Sequence, residues 1–126
     1  MVDPPVIAIV DDDNSVREAM SGLVRSLGYV TRSYSSAIDF LRAGVADETS
    51  CVITDMQMPG MDGTDLQHAL RDAGRSVPII VVTGFLTDAV RARALEAGAW
   101  DVFRKPCDGA ALGRSLETAL NRQTRA

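Results

Sequence analysis

Apolar and polar positions alternate between two periods along the chain. Short runs of β-branched and apolar residues, VIAIV (6–10), CVIT (51–54) and PIIVVT (78–83), read as strands. YVTRSY (29–34) and WDVFR (100–104) read as two more, with polar residues mixed in. Between them the spacing changes to three and four. Val16, Ala19, Met20, Leu23, Val24 and Leu27 predict a helix over about 15–27, ended by Gly28. A shorter helix carries Ala37, Phe40 and Leu41 and stops at Gly44. A third carries Leu66, Ala69 and Leu70 and stops at Gly74. A fourth starts from a Thr87 cap, carries Val90, Ala94 and Leu95, and stops at Gly98. Asp108 can cap a last helix to about 122, weakened internally by Gly113.

Five strand–helix units in succession predict an α/β fold with a parallel sheet covered on both faces. The three continuous apolar strands suit burial on both faces, and the two mixed strands suit edges. Strands two and five then flank one, three and four, which is the doubly wound order 2-1-3-4-5. Trp100 is expected to begin strand five, away from the site. At 126 residues the chain fits one domain, with a structured core over about 6–122.

In such a sheet ligands bind beyond the carboxyl ends of the strands, at the switch in strand order. Here strand one ends in Asp11, Asp12 and Asp13, strand three in Asp55, strand four in Thr83, and strand five in Arg104–Lys105–Pro106. Clustered carboxylates repel one another, by on the order of 4 kcal/mol per contact at ~4 Å and an effective dielectric of about 20. A hard divalent ion, Mg²⁺ or alternatively Mn²⁺, relieves that repulsion, since the oxygen donors come with neither His nor Cys. A carboxylate beside such an ion can act as a nucleophile toward phosphorus, with a lysine and a hydroxyl holding the phosphoryl oxygens. There is no Gly-rich phosphate loop, which speaks against tight nucleotide binding.

Composition narrows the rest. Apolar residues make up 46% of the chain, enough for a packed core, and no run approaches the ~20 apolar residues of a membrane span. The start of the chain lacks the basic region of a signal peptide. A net charge of −4 without a Lys/Arg cluster argues against nucleic-acid binding by this segment alone. Two cysteines, Cys51 and Cys107, have no metal-ligand spacing, and a reducing cytoplasm is the default. His68, the only histidine, falls on the polar side of its helix.

The motifs IVDDD, TDMQMPGMDG, VVTG and FRKP, in this order and each at a strand end, resemble the receiver domain of two-component response regulators over almost the whole chain. The wording is most similar to receivers of nitrogen-fixation transcription regulators of the FixJ type. The resemblance implies a (βα)5 flavodoxin-like fold and a phosphorylation switch. Asp55 would accept a phosphoryl group from a sensor histidine kinase or a phosphotransfer protein. Asp11, Asp12, Asp55 and the Gln57 backbone carbonyl would hold Mg²⁺. Lys105, followed by a cis bond to Pro106, would contact the phosphoryl group. Thr83 and Phe103 would form the switch, and the face of the fourth helix, fifth strand and fifth helix, including Ala89, Val90, Arg91 and Arg93, would dock a partner or a second copy.

Such a protein is no metabolic enzyme. It would catalyse only its own phosphorylation and slow dephosphorylation. The resemblance also makes Gln57 and Phe85 the residues that tune phosphoryl lifetime. Asp13 and Asn14 read as helix-cap material, Met56, Met58 and Met61 as packing, and Pro59-Gly60 and Asp62-Gly63 as loop-shaping pairs. Cys107 stands where the family often has phenylalanine. Two other readings stay open at this stage: a stand-alone receiver that docks or relays phosphate, and an interaction module that is never phosphorylated.

Overall fold

The computed structural model describes residues 4–43 and 48–124. The expected stop at Gly44 lies outside the described residues. Ten elements follow in strict alternation: β1 (Val6–Val10), α1 (Asn14–Ser26), β2 (Val30–Tyr34), α2 (Ala37–Arg42), β3 (Cys51–Thr54), α3 (Gly63–Asp72), β4 (Ile79–Thr83), α4 (Asp88–Glu96), β5 (Asp101–Arg104) and α5 (Gly109–Thr124). The sheet is parallel throughout, in the order β2-β1-β3-β4-β5. All residues of β3 and β4 are buried, as are four of the five in β1. The edge strands β2 and β5 are mostly half-exposed or exposed. The apolar continuity of a strand thus tracks its position in the sheet.

Side-chain alternation divides the core in two. On one face Ala8, Val10, Val52, Val81 and Val102 pack against Phe40 of α2, Leu66 and Leu70 of α3 and Ala94 of α4. On the other, Ile7, Ile9, Ile53, Ile80 and Val82 pack against Met20 and Val24 of α1 and Leu112 and Leu116 of α5. Helix α5 is continuous through Gly113 because it runs close to α1. A Cβ at Gly109 would lie 3.0 Å from a Leu23 methyl, and one at Gly113 would lie 3.4 Å from a Leu27 methyl. Close approach offsets the lower helix propensity of glycine.

Side chains at the N-caps Asp13, Ser36, Asp62 and Thr87 accept backbone N–H groups, and Gly28, Gly74 and Gly98 follow their helices with positive φ. Asp108 accepts the Ala110 N–H at the start of α5. Trp100 stands one residue before β5, yet its N–H already donates to the Ile79 carbonyl at 2.7 Å. It packs against the α1/α5 half of the core. His68 is exposed, as expected.

Candidate functional site

The site begins with the strand ends. By alternation, Asp11 continues the row of Ile7 and Ile9, and Asp55 continues that of Cys51 and Ile53, so both carboxylates turn toward the α1/α5 side. The backbones beneath them are tied, the Asp55 N–H donating to the Val10 carbonyl at 3.1 Å. Lys105 leaves the end of β5 on the same side, just before the cis bond to Pro106. Its Nζ donates to Asp11 Oδ2 at 2.7 Å and to Asp55 Oδ2 at 2.9 Å. Two acids and one lysine that are distant in sequence therefore meet at one carboxyl edge.

Asp11 is held on all sides. Its Oδ1 accepts the Asp13 N–H at 2.9 Å, and its backbone carbonyl accepts Arg17 Nη1 at 2.8 Å. Asp55 Oδ1 accepts the Gln57 N–H at 3.2 Å. Asp12 is exposed, and one carboxylate oxygen from each of Asp11, Asp12 and Asp55 lies within 4.8 Å of the others. At that separation Asp11 and Asp55 repel by about 3–4 kcal/mol at an effective dielectric of about 20. Lys105 offsets this. Three carboxylates and one ammonium sum to a formal charge of −2. An all-oxygen donor set with that charge fits a hard divalent ion. Burial would lower the Lys105 pKa and is the largest single influence on it. The hydrogen bonds and charges of Asp11 and Asp55 together outweigh burial and hold it above its ordinary value.

The mouth is an open depression of about 470 Å³, lined by Asp12, Asp13, Asp55, Gln57, Phe85 and Lys105. Phe85, 71% exposed, stands at its rim. A second, apolar groove of about 430 Å³ runs from Val16, Met20 and Leu23 of α1 to Lys105, Pro106 and Cys107.

Thr83 is fully buried and belongs to the other face, in the row of Ile79 and Val81. Its Oγ1 accepts the Phe85 N–H at 3.3 Å. This corrects the expected role of Phe103. Phe103 is in register with Val82, not with Thr83, and packs against the α1/α5 core. Strand alternation puts Val102 and Arg104, not Phe103, on the Thr83 side of β5. Phe103 does share a side with Lys105, but Thr83 does not. Asp13 is the α1 N-cap, accepting the Val16 N–H at 3.0 Å, as its sequence position suggested.

Two contributors were not foreseen. Gly63 begins α3 directly against the Asp55–Met56 backbone, and its N–H donates to the Met56 carbonyl at 3.0 Å. Arg17 reaches back from α1 to the Asp11 carbonyl. Both act through backbone atoms, which leave little trace in residue type. A faint signal existed for Arg17, a basic residue near the start of a helix.

Helix α4 is held in an unusual way. Only Ala94 is buried along it. Polar hooks fasten it instead: Arg91 Nη1 donates to the Val102 carbonyl at 3.4 Å, and Gln67 Nε2 to the Ala94 carbonyl at 3.1 Å. Arg71 Nη2 donates to the Ala97 carbonyl just beyond, at 2.6 Å. Arg104 Nη2 holds the Leu86 carbonyl of the preceding loop at 3.2 Å.

The family model of the response regulator receiver domain matches residues 7–117. The response regulator protein TmoT of Ectopseudomonas mendocina is 43% identical over 115 residues, covering 91% of this chain and 52% of that protein. The transcriptional regulatory protein FixJ of Azorhizobium caulinodans is 35% identical over 116 residues, covering 92% of this chain and 55% of its own length. The chain thus spans about half the length of these curated relatives. Among solved structures, FixJ-N superimposes with a TM-score of 0.84 at 30% identity over 96% of both chains. The response regulator StyR does so with a TM-score of 0.85 at 34% identity, over 98% of this chain and 65% of that one. The chain belongs to the response regulator receiver family, the phospho-accepting signalling domains of two-component systems.

Proposed function

We propose that Asp55 is the phospho-acceptor, and that the 126 residues form a single receiver domain whose donor is a sensor histidine kinase or a phosphotransfer protein. The observation that carries this reading is the double contact of Lys105 with Asp11 and Asp55 beside Asp12. Asp11, Asp12, Asp55 and the Gln57 carbonyl would hold Mg²⁺, which when bound supplies positive charge against the incoming phosphoryl oxygens. An Asp55 carboxylate oxygen attacks phosphorus, the bond from phosphorus to the donor imidazole nitrogen breaks, and its electron pair stays with the imidazole. Lys105 pairs with the phosphoryl oxygens in place of part of its carboxylate contacts. The apolar groove beside Lys105 supports docking of a protein donor against this edge.

Thr83 carries the signal to the opposite face. In the phosphorylated state its hydroxyl exchanges the Phe85 N–H for a phosphoryl oxygen, and the loop and α4 shift with it. Because α4 is fastened by hooks rather than by an apolar stripe, a few kcal/mol suffice to bias its position. The face of α4, β5 and α5 is then the surface read by a partner, an output segment or a second copy. The two free cysteines are compatible with a reducing cytoplasm. The transcription regulators among the relatives favour a role within a longer regulator over a stand-alone or unphosphorylated module.

The test is intact mass after incubation with acetyl phosphate and Mg²⁺. The wild type gains one phosphoryl group, and Asp55→Asn, folded by circular dichroism, gains none. Equal labelling of both removes Asp55 as the acceptor.

A further inference from the structure

Arg17 sits where a helix is least tolerant of a cation. It follows the N-cap Asp13 by four residues, at the positive end of α1, and no acid occupies the first turn to balance it. A local rule broken without compensation inside the helix points to a task outside it. The side chain is half-buried and bent back over the turn. Nη1 donates to the Asp11 carbonyl at 2.8 Å, and Nη2 donates to Asn14 Oδ1. One planar fork therefore spans the Asp11–Asn14 turn that carries Asp12. The turn and the start of α1 are also braced by the Asp13 N–H to Asp11 Oδ1, the Val16 N–H to Asp13 Oδ1 at 3.0 Å and the Arg17 N–H to the Asp13 carbonyl at 2.9 Å. Asp12 itself is exposed and has no such tether to Lys105, whose bonds go to Asp11 and Asp55.

We infer that Arg17 is a positioning residue for the divalent-ion site. It fixes the peptide between Asp11 and Asp12 so that the exposed Asp12 carboxylate is presented beside Asp11 and Asp55. This rests on the metal reading above. The guanidinium suits the role because its donors are fixed in one planar fork, whereas a lysine ammonium is a compact charge on a flexible stem and does not lock its acceptors in one geometry. Outer partners that orient a ligand are typically worth about 10-fold or more in metal affinity.

The inference separates by sign from the plain electrostatic alternative. A cation near an acidic site repels a metal ion, so if Arg17 acted only as a charge, its removal would tighten Mg²⁺ binding. If it positions Asp12, removal weakens binding. The experiment titrates Mg²⁺ into wild type, Arg17→Met and Arg17→Lys by calorimetry, each variant first checked for cooperative melting. Both variants are expected to bind roughly 10-fold more weakly than wild type, Arg17→Lys included although it keeps the charge. In acetyl phosphate labelling, the Mg²⁺ concentration for half-maximal rate rises by a similar factor, while the rate at saturating Mg²⁺ stays within about twofold of wild type. In the metal-free Arg17→Met protein, the Asp13 amide resonance moves, reporting the loosened turn.

Tighter or unchanged Mg²⁺ binding in Arg17→Met overturns the inference, as does a loss of rate that persists at saturating Mg²⁺. If Arg17→Met does not fold, Arg17→Lys decides alone, and affinity equal to wild type overturns it. Wild type that binds no Mg²⁺ sinks the metal reading instead, so the two failures are distinguishable.

Discussion

Gly63 offers the sharpest check on how the site is built. A Cβ placed there would lie 2.7 Å from the Asp55 carbonyl oxygen and 3.0 Å from Met56 Cα. Ordinary contact begins at 3.4 Å, so the Gly63→Ala methyl demands a movement of roughly 0.7 Å. Both obstructing atoms are backbone, and no rotamer change relieves them. Two escapes exist. Helix α3 can lift away, giving up the Gly63–Met56 hydrogen bond at a cost of about 1 kcal/mol. Alternatively the Asp55–Met56 peptide can move, taking with it the carboxylate that Lys105 and the Gln57 N–H now hold.

Overpacking of this kind costs about 1–3 kcal/mol, and the smaller entropy of the unfolded alanine chain returns at most about 1. The net expectation is a loss of about 1–2 kcal/mol, or several degrees in Tm for a domain of this size. A carboxylate displaced by even half the required movement slows phosphoryl transfer on the order of 10-fold, as misplacement of about 1 Å can cost 100-fold. The assays are thermal melting and the initial rate of acetyl phosphate labelling. Gly22→Ala is the control of opposite sign. Gly22 lies inside α1 with nothing within 4 Å of its would-be Cβ, so alanine there stabilises by about 0.5–1 kcal/mol and leaves labelling alone. A Gly63→Ala protein that melts no lower than wild type and labels at the same rate refutes the reasoning.

Other outcomes follow from the same geometry. Asp12→Asn removes one of three mutually repelling carboxylates, so it raises the metal-free Tm and weakens Mg²⁺ binding in calorimetry; a Tm that falls contradicts the charge accounting. Lys105→Met destabilises by on the order of 2 kcal/mol at neutral pH, since two carboxylates lose a shared donor. The folded-state pKa of Lys105 lies above the usual 10.5, so its contribution is fully present below that pH and is lost as pH rises through the folded-state value. Urea midpoints at pH 7, 9 and 11 should show a constant gap between wild type and variant, then a shrinking one; a gap that widens at pH 11 counts against the pairing. Burial pushes the Cys51 thiol up to about 12, with a backbone hydrogen bond of Val52 opposing in part. Half-buried Cys107, also raised by burial and then by Asp108 and Asp101, remains the more accessible thiol. Iodoacetamide at pH 8 followed by peptide mapping should find slow alkylation of Cys107 and none of Cys51 until denaturant is added.

Most of the fold was legible because strand composition answers to burial. VIAIV, CVIT and IIVVT can only be satisfied inside the sheet, and Arg32, Ser33, Asp101 and Arg104 of β2 and β5 only at its edges. The acids and the lysine were legible for a related reason. A charge that ends a buried strand has to emerge at the sheet edge, and parallel strands put all such ends together. What failed was the comparison of faces between strands. Counting back two residues from Lys105 to Phe103 gives the side of β5 correctly, but placing Thr83 on that side needs the register of β4 against β5, which spacing within one strand does not carry.

The consequence is more than a relabelling. Asp11, Asp55 and Lys105 turn to the α1/α5 side, while Thr83, Val102 and α4 occupy the other. A switch that links them must pass around the end of β4. The chain segment there is Gly84–Phe85–Leu86, whose N–H at Phe85 holds the Thr83 hydroxyl and whose Leu86 carbonyl is hooked by Arg104. On β5 the residue in register with Thr83 is Arg104, and the preceding residue on that side is the buried Val102, so no aromatic ring of β5 shares the Thr83 side. Under the proposed switch, the hydrogen bonds of the β4–α4 loop, and not the rotamer of Phe103, would carry the coupling.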